Sequence, residues 1–128
     1  YGPYTETLEH VLQRIEGHFI RGYGDRSRTA SIRLLPGATK EAAAFLQTHP
    51  DTVRRLDRVS KLIEGFETPY CMELIGTVHW TGQEDPAAKT NAATAIQRVK
   101  EWSEHKRQTF PPDHIKVAWT RLSEQEWL

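Results

Sequence analysis

Cys71 and His79 are the residues whose types come closest to a nucleophile with its base. They lie eight positions apart in a segment that reads as one helix, so about 12 Å separates them along its axis. A thiol and an imidazole must be within hydrogen-bond reach to work as a pair, so no covalent catalysis follows from them. A small buried cysteine near a capped helix start is the structural reading of Cys71. The six histidines form no His-x-x-x-His pattern, and one cysteine cannot make a Cys-x-x-Cys, so no metal site is expected. His79 and Trp80 read as a packed or interface pair. Gly22-Tyr23-Gly24 lacks the Lys and Ser/Thr that complete a phosphate-binding loop, and a surface turn accounts for it. No cofactor is implied.

Acidic residues carry more content. Between Lys61 and Lys89 the chain has no Lys or Arg but holds Glu64, Glu67, Glu73, Glu84 and Asp85. None of Glu73, Glu84 and Asp85 has a basic neighbour in sequence. Glu67 precedes a helix start, where a carboxylate offsets the helix dipole. Glu64 lies near a helix end, where its charge is mildly unfavourable. Solvated surface is the ordinary reading of this stretch; an acidic face shaped for a basic groove is the functional one. Arg21, Arg26, Arg28 and Arg33 face the single acid Asp25 and form the opposite local bias.

Seventeen Lys and Arg balance seventeen Asp and Glu over 128 residues. Zero net charge argues against a generic nucleic-acid binder, which carries a basic excess. Apolar residues at 38% and charged residues at 27%, with four Trp, are a globular composition. The length fits one domain. No apolar run approaches the ~18 residues of a membrane span, so no membrane partner is expected. The lone cysteine excludes an internal disulfide and is compatible with a cytoplasmic setting.

The elements that must position these residues are mainly helical. Leu8, Val11, Leu12, Ile15 and Phe19 predict a helix over about 4–19 with one apolar stripe. Residues 18–28 read as a loop, and Ser31–Leu35 as a short strand ended by Pro36-Gly37. A helix at about 39–48 and another from Pro50 follow, the latter with Val53, Leu56, Val59, Ile63 and Phe66 as its core face. Thr68-Pro69 is a capped helix start. Gly76 inside that helix predicts a close helix contact, and residues 81–86 a polar loop. One helix is predicted over 87–106, and a last one from Pro111-Pro112-Asp113 with Ile115, Ala118, Trp119 and Leu122 inward. The expectation is a mainly α, compact single-domain bundle of about six helices with at most a small β element.

Several ordered segments resemble one family. Tyr1-Gly2-Pro3-Tyr4, Ile15-Glu16-Gly17-His18-Phe19-Ile20, Gly22-Tyr23-Gly24-Asp25, Leu34-Leu35-Pro36-Gly37-Ala38, Leu62-Ile63-Glu64-Gly65-Phe66-Glu67-Thr68-Pro69-Tyr70, Met72-Glu73-Leu74, Thr77-Val78-His79-Trp80 and Phe110-Pro111 are similar to the C-terminal domain of DarG-type antitoxins. The resemblance runs nearly end to end. It departs at Cys71, where the family tends to have Gly, and at Gly76, where it tends to have Ala. It implies a fold similar to Panacea, or SocA-like, antitoxin domains. It also implies that a macrodomain and a first helix of the domain belong to the family but lie outside residues 1–128.

By this resemblance residues 1–128 form a toxin-neutralising domain of bacterial origin that is not an enzyme. De-ADP-ribosylation is assigned by it to the macrodomain. The implied partner is a DarT-type toxin, which ADP-ribosylates thymidine in single-stranded DNA, and the implied action is to block its DNA site by mimicry. The contact residues expected are Glu64, Glu67, Tyr70, Glu73, Trp80, Glu84 and Asp85, with Tyr23 and Asp25 as a second contact. Two other functions stay open. One is direct nucleic-acid binding through the Arg21–Arg33 loop. The other is an ADP-ribosyl hydrolase, for which no ADP-ribose loop is visible.

Overall fold

The computed structural model describes residues 5–24 and 31–128. They form eight helices and one two-stranded sheet, so the expected mainly α class with a small β element holds. These residues divide into two compact units, one ending at Asp57 and one running from Arg58 to Leu128.

The first unit holds α1 (Glu6–Ile15), β1 (Ile20–Arg21), β2 (Arg33–Leu34), α2 (Ala38–Leu46) and the front of α3 (Pro50–Ile63). α1 is shorter than its apolar spacing predicts. Glu16 leaves the helix in an extended conformation and Gly17 turns the chain at φ +80°, a left-handed conformation that costs glycine little, so the helix stops before Phe19. Phe19 then belongs to the following turn, where its carbonyl accepts from Leu35 N–H at 2.8 Å. β1 and β2 pair antiparallel, with Ile20 opposite Leu34 and Arg21 opposite Arg33. The stripe predicted on α3 is present in sequence, but Val53, Leu56 and Val59 are exposed and only Leu62 and Ile63 near its end meet the core. Phe66 lies beyond the helix, after Gly65 at φ +83°, and is buried there.

Residues 58–128 contain the larger core. α4 (Pro69–Glu84) starts where Thr68-Pro69 predicts, with Thr68 Oγ1 accepting from Cys71 N–H at 3.2 Å. It runs through the expected polar loop to Glu84, and Thr81 and Gly82 are buried within it. Leu74, Ile75 and Val78 of α4 pack with Val99, Phe110, Ile115, Ala118 and Leu122. The single helix expected over 87–106 is three: α5 (Pro86–Thr90), α6 (Ala92–Trp102) and α7 (Glu104–Thr109). Asn91 breaks it by accepting from Ala93 and Thr94 N–H, and Ser103 by accepting from Lys106 N–H. Each side chain satisfies backbone donors that a helix start leaves open, and so restarts the chain in a new direction. α8 (Pro112–Glu124) buries Ile115, Ala118 and Leu122 as predicted, and Trp119 donates from Nε1 to Ala88 O at 2.9 Å.

The close approach expected at Gly76 is found at Gly82 instead. A Cβ on Gly76 would meet nothing within 4 Å, whereas one on Gly82 would lie 2.5 Å from Leu128 Cδ2 and 3.7 Å from Lys89 Cα. Gly82 thus lets the C-terminal residue and α5 pack against α4.

Candidate functional site

α4 carries most of the candidate residues. At roughly 100° per residue, Tyr70, Glu73, Trp80 and Glu84 fall within a sector of about 80°. The core residues Leu74, Ile75 and Val78 occupy the adjoining side, so the helix buries one face and presents the other. Thr77 falls inside the same sector and Thr81 at its edge, and both are buried. Thr81 Oγ1 donates locally, to Thr77 O at 2.8 Å.

Glu73 does not stand alone. Lys106 of α7 donates from Nζ to its Oε1 at 2.6 Å and to Thr77 Oγ1 at 3.0 Å. His105 Nε2 lies 3.9 Å from the same oxygen. The Lys106 side chain is only 3% exposed, while that of Glu73 keeps 46% in solvent. The ammonium also sits 5.1 Å from the Phe110 ring centroid and 5.9 Å from that of Trp102. The hydrogen bond from Lys106 holds the Glu73 carboxyl below its ordinary value of 4.5.

At the other end of α4, Trp80, Thr81, Glu84 and Asp85 line a cleft of about 330 Å³ with Arg98, Glu101 and Trp102 of α6. Asp85 closes α4 and opens α5, accepting from Ala87 N–H at 2.8 Å. Its other oxygen accepts from Arg98 Nε at 2.7 Å. The hydrogen bond from Arg98 is the main reason its carboxyl lies below the usual value. Arg98 also donates to Glu101 Oε2 at 3.3 Å. Glu84 has no ion pair among the described residues. The lining therefore holds three carboxylates and one guanidinium between two indoles.

The remaining candidates lie apart. Glu64 and Glu67 are exposed in the connection between α3 and α4. Backbone N–H groups, that of Glu67 itself and then that of Gly65, hold the Glu67 carboxyl down. Tyr70 is part-buried; its hydroxyl lies 2.7 Å from His114 Nδ1 and donates to Thr109 O at 3.3 Å. Burial raises its pKa. Tyr23 belongs to the other unit, where the Glu16 carboxylate accepts from Gly22 N–H at 3.0 Å and Tyr23 N–H at 3.1 Å. Asp25, Arg26 and Arg28 lie outside the described residues.

Long-range pairing supplies what sequence spacing cannot. Asp85 and Glu73, without basic neighbours in sequence, find Arg98 and Lys106 across the fold. Glu101, Trp102 and Glu16 give no signal in the sequence as site residues. His79 packs edge-on against Trp127, ring centroids 6.0 Å apart, rather than against Trp80. Consecutive helical residues point about 100° apart, so a neighbouring pair does not share a face. Burial lowers the His79 pKa.

Cys71 and His79 are on one unbroken helix, which keeps them about 12 Å apart along the axis. Among the described residues no group of three His, Cys, Asp or Glu could hold a metal ion. Cys71 is partly exposed, not buried, and packs at the edge of the core. Its cap bond uses the backbone alone, so Cys71→Ala keeps it. Denaturant unfolding of Cys71→Ala is expected to move by less than about 1 kcal/mol; a larger loss would show that the thiol itself holds the structure.

Among the described residues no helix is long and apolar enough to cross a membrane. No family model matches the chain. It is 43% identical over 118 residues to a protein of Thermus aquaticus named DNA ADP-ribosyl glycohydrolase, covering 92% of this chain and 32% of the relative. Two proteins of the same name, from Mycobacterium bovis and Mycobacterium tuberculosis, are each 35% identical over 129 residues, covering 95% of the chain and 36% of the relative. The chain therefore spans about a third of the length of these relatives, and nearly all of it is similar to part of proteins named DNA ADP-ribosyl glycohydrolase.

Proposed function

We propose that this chain is a binding module, the toxin-neutralising part of a DarG-type antitoxin, and that it works by occupying the single-stranded-DNA groove of a DarT-type toxin. One observation carries the reading: Trp80, Glu84, Asp85, Glu101 and Trp102 converge on one cleft beside the presented face of α4. Similarity to about a third of each relative supports a part of a larger protein. In that division the glycohydrolase activity of the relatives' name belongs to the part of those proteins that this chain does not match. The Cys71–His79 spacing gives this part no nucleophile with its base.

A groove that holds single-stranded DNA combines cations for the phosphates with aromatic surfaces for the bases. The presented face of α4 offers the complement. In this reading Glu84 and Glu101 take the part of phosphate charge, and the indoles of Trp80 and Trp102 the part of the bases. Glu73 lies about 16 Å from Glu84 along the helix and extends the charge. Glu64 and Glu67 continue it beyond the helix start, and Tyr70 adds ring surface. Tyr23 and Asp25 form a second contact in the other unit. A few placed carboxylates suffice for such a mimic, so neutral overall charge is no obstacle.

Competition tests this directly. A labelled thymidine-containing single strand bound to a catalytically inactive DarT-type toxin should be displaced by the chain, and rising salt should weaken the antitoxin as it screens the charges. A ternary complex with the strand still bound would contradict occupation of the groove.

A further inference from the structure

We infer that the cleft between α4 and α6 receives an arginine side chain of the partner; this rests on the binding reading above and names the group that enters. The cleft, about 330 Å³ and open to solvent, has room for an arginine side chain. Its walls are Trp80, which is 42% exposed, and Trp102, which is partly exposed. Charge selects the occupant. Three carboxylates face one guanidinium, and that guanidinium, Arg98, is already held by Asp85 and Glu101. Glu84 is left without an ion pair among the described residues. An anion would meet uncompensated negative charge, whereas a cation gains a carboxylate at the rim and the indole surface of Trp80, Trp102 being already approached by the Lys106 ammonium at 5.9 Å. Arginine fits better than lysine because a planar guanidinium stacks on an indole while hydrogen-bonding in its own plane, and it gives up hydration more readily than an ammonium. Arg98 has a positioning part: by bridging Asp85 at the end of α4 to Glu101 on α6, it holds the two walls in register.

The test uses the whole chain and the probe N-acetyl-arginine amide, with the citrulline and lysine analogues as controls. The indole N–H resonances of Trp80 and Trp102 report the cleft by nuclear magnetic resonance. The arginine probe should shift both saturably at millimolar concentration, the lysine probe more weakly, and the neutral citrulline probe not at all. Glu84→Gln should weaken the arginine probe about threefold, and Trp80→Ala should remove saturation while the remaining resonances stay dispersed. Equal response to citrulline, or no saturable shift with arginine, overturns the inference. The inactive toxin is then titrated separately with wild-type chain and Glu84→Gln. Toxin binding without any probe response would remove the arginine pocket but keep the binding reading; a probe response without toxin binding would do the reverse.

Discussion

Replacing Glu73 by Gln is expected to destabilise the chain by about 2–3 kcal/mol, whereas Lys106→Met should cost less than about 1 kcal/mol. The asymmetry follows from where the two charges lie. Lys106 is almost wholly buried, and its ammonium depends on the Glu73 carboxylate, Thr77 Oγ1 and two ring faces. Removing the carboxylate strands a cation out of water, the change that costs about 3–5 kcal/mol in a fully buried pair. The figure is lowered here because Glu73 keeps nearly half its side chain in solvent, and water can reach the remaining charge. Methionine at 106 instead fills the same space between Thr77, Trp102 and Phe110 with an apolar stem, and leaves Glu73 on the surface where it can hydrate. The double variant should therefore be more stable than Glu73→Gln alone.

The pH dependence carries the same sign. The folded carboxyl of Glu73 lies below its ordinary value of 4.5 because Lys106 donates to it. Its contribution is present above the ordinary carboxylate value and is lost as pH falls through the depressed folded one. Part of the acid destabilisation of the wild type should thus be missing from Glu73→Gln. Denaturant unfolding at neutral and acidic pH checks both statements. Equal losses from Glu73→Gln and Lys106→Met, with identical acid slopes, would show that the pair is ordinary surface charge.

What can be read from sequence divides along the same line as local and distant interactions. Thr68-Pro69 and Pro112 announce helix starts because a cap and a fixed φ act within a few residues. Both helices start where these signals place them. Asn91 and Ser103 are equally local signals, but apolar periodicity across 87–106 outweighs them and predicts one helix where three form. Leu8 and Val11, with Val53 and Leu56, have helical spacing, yet spacing does not specify a covering partner, and these side chains are exposed. The acidic stretch is legible as a composition bias. Its meaning is not, because Glu73 pairs with a residue 33 positions away and Asp85 with one 13 away. The α4 face gathers the expected Glu73, Trp80 and Glu84; Trp102 and Glu101 join them only because α6 packs against α4.

The pairing also changes which carboxylates can report recognition. Reversing Glu73 would set two cations together and disturb the fold, so a lost interaction there would be ambiguous. Trp80 and Glu84 are both exposed, and neither makes an ion pair among the described residues. Their replacement leaves the core untouched. A central interface tryptophan typically contributes about 2 kcal/mol or more when truncated. A reversed charge facing a basic groove adds a repulsion of several kcal/mol in place of an attraction. Trp80→Ala combined with Glu84→Lys should weaken toxin binding about 100-fold or more and leave helicity unchanged.

The decisive measurement is a calorimetric titration of catalytically inactive DarT-type toxin with wild-type chain and with this double variant, each checked by circular dichroism. Tight binding by the wild type and a loss of about 100-fold or more in a folded variant is the predicted result. Wild-type affinity in the folded variant would contradict recognition through the α4 face.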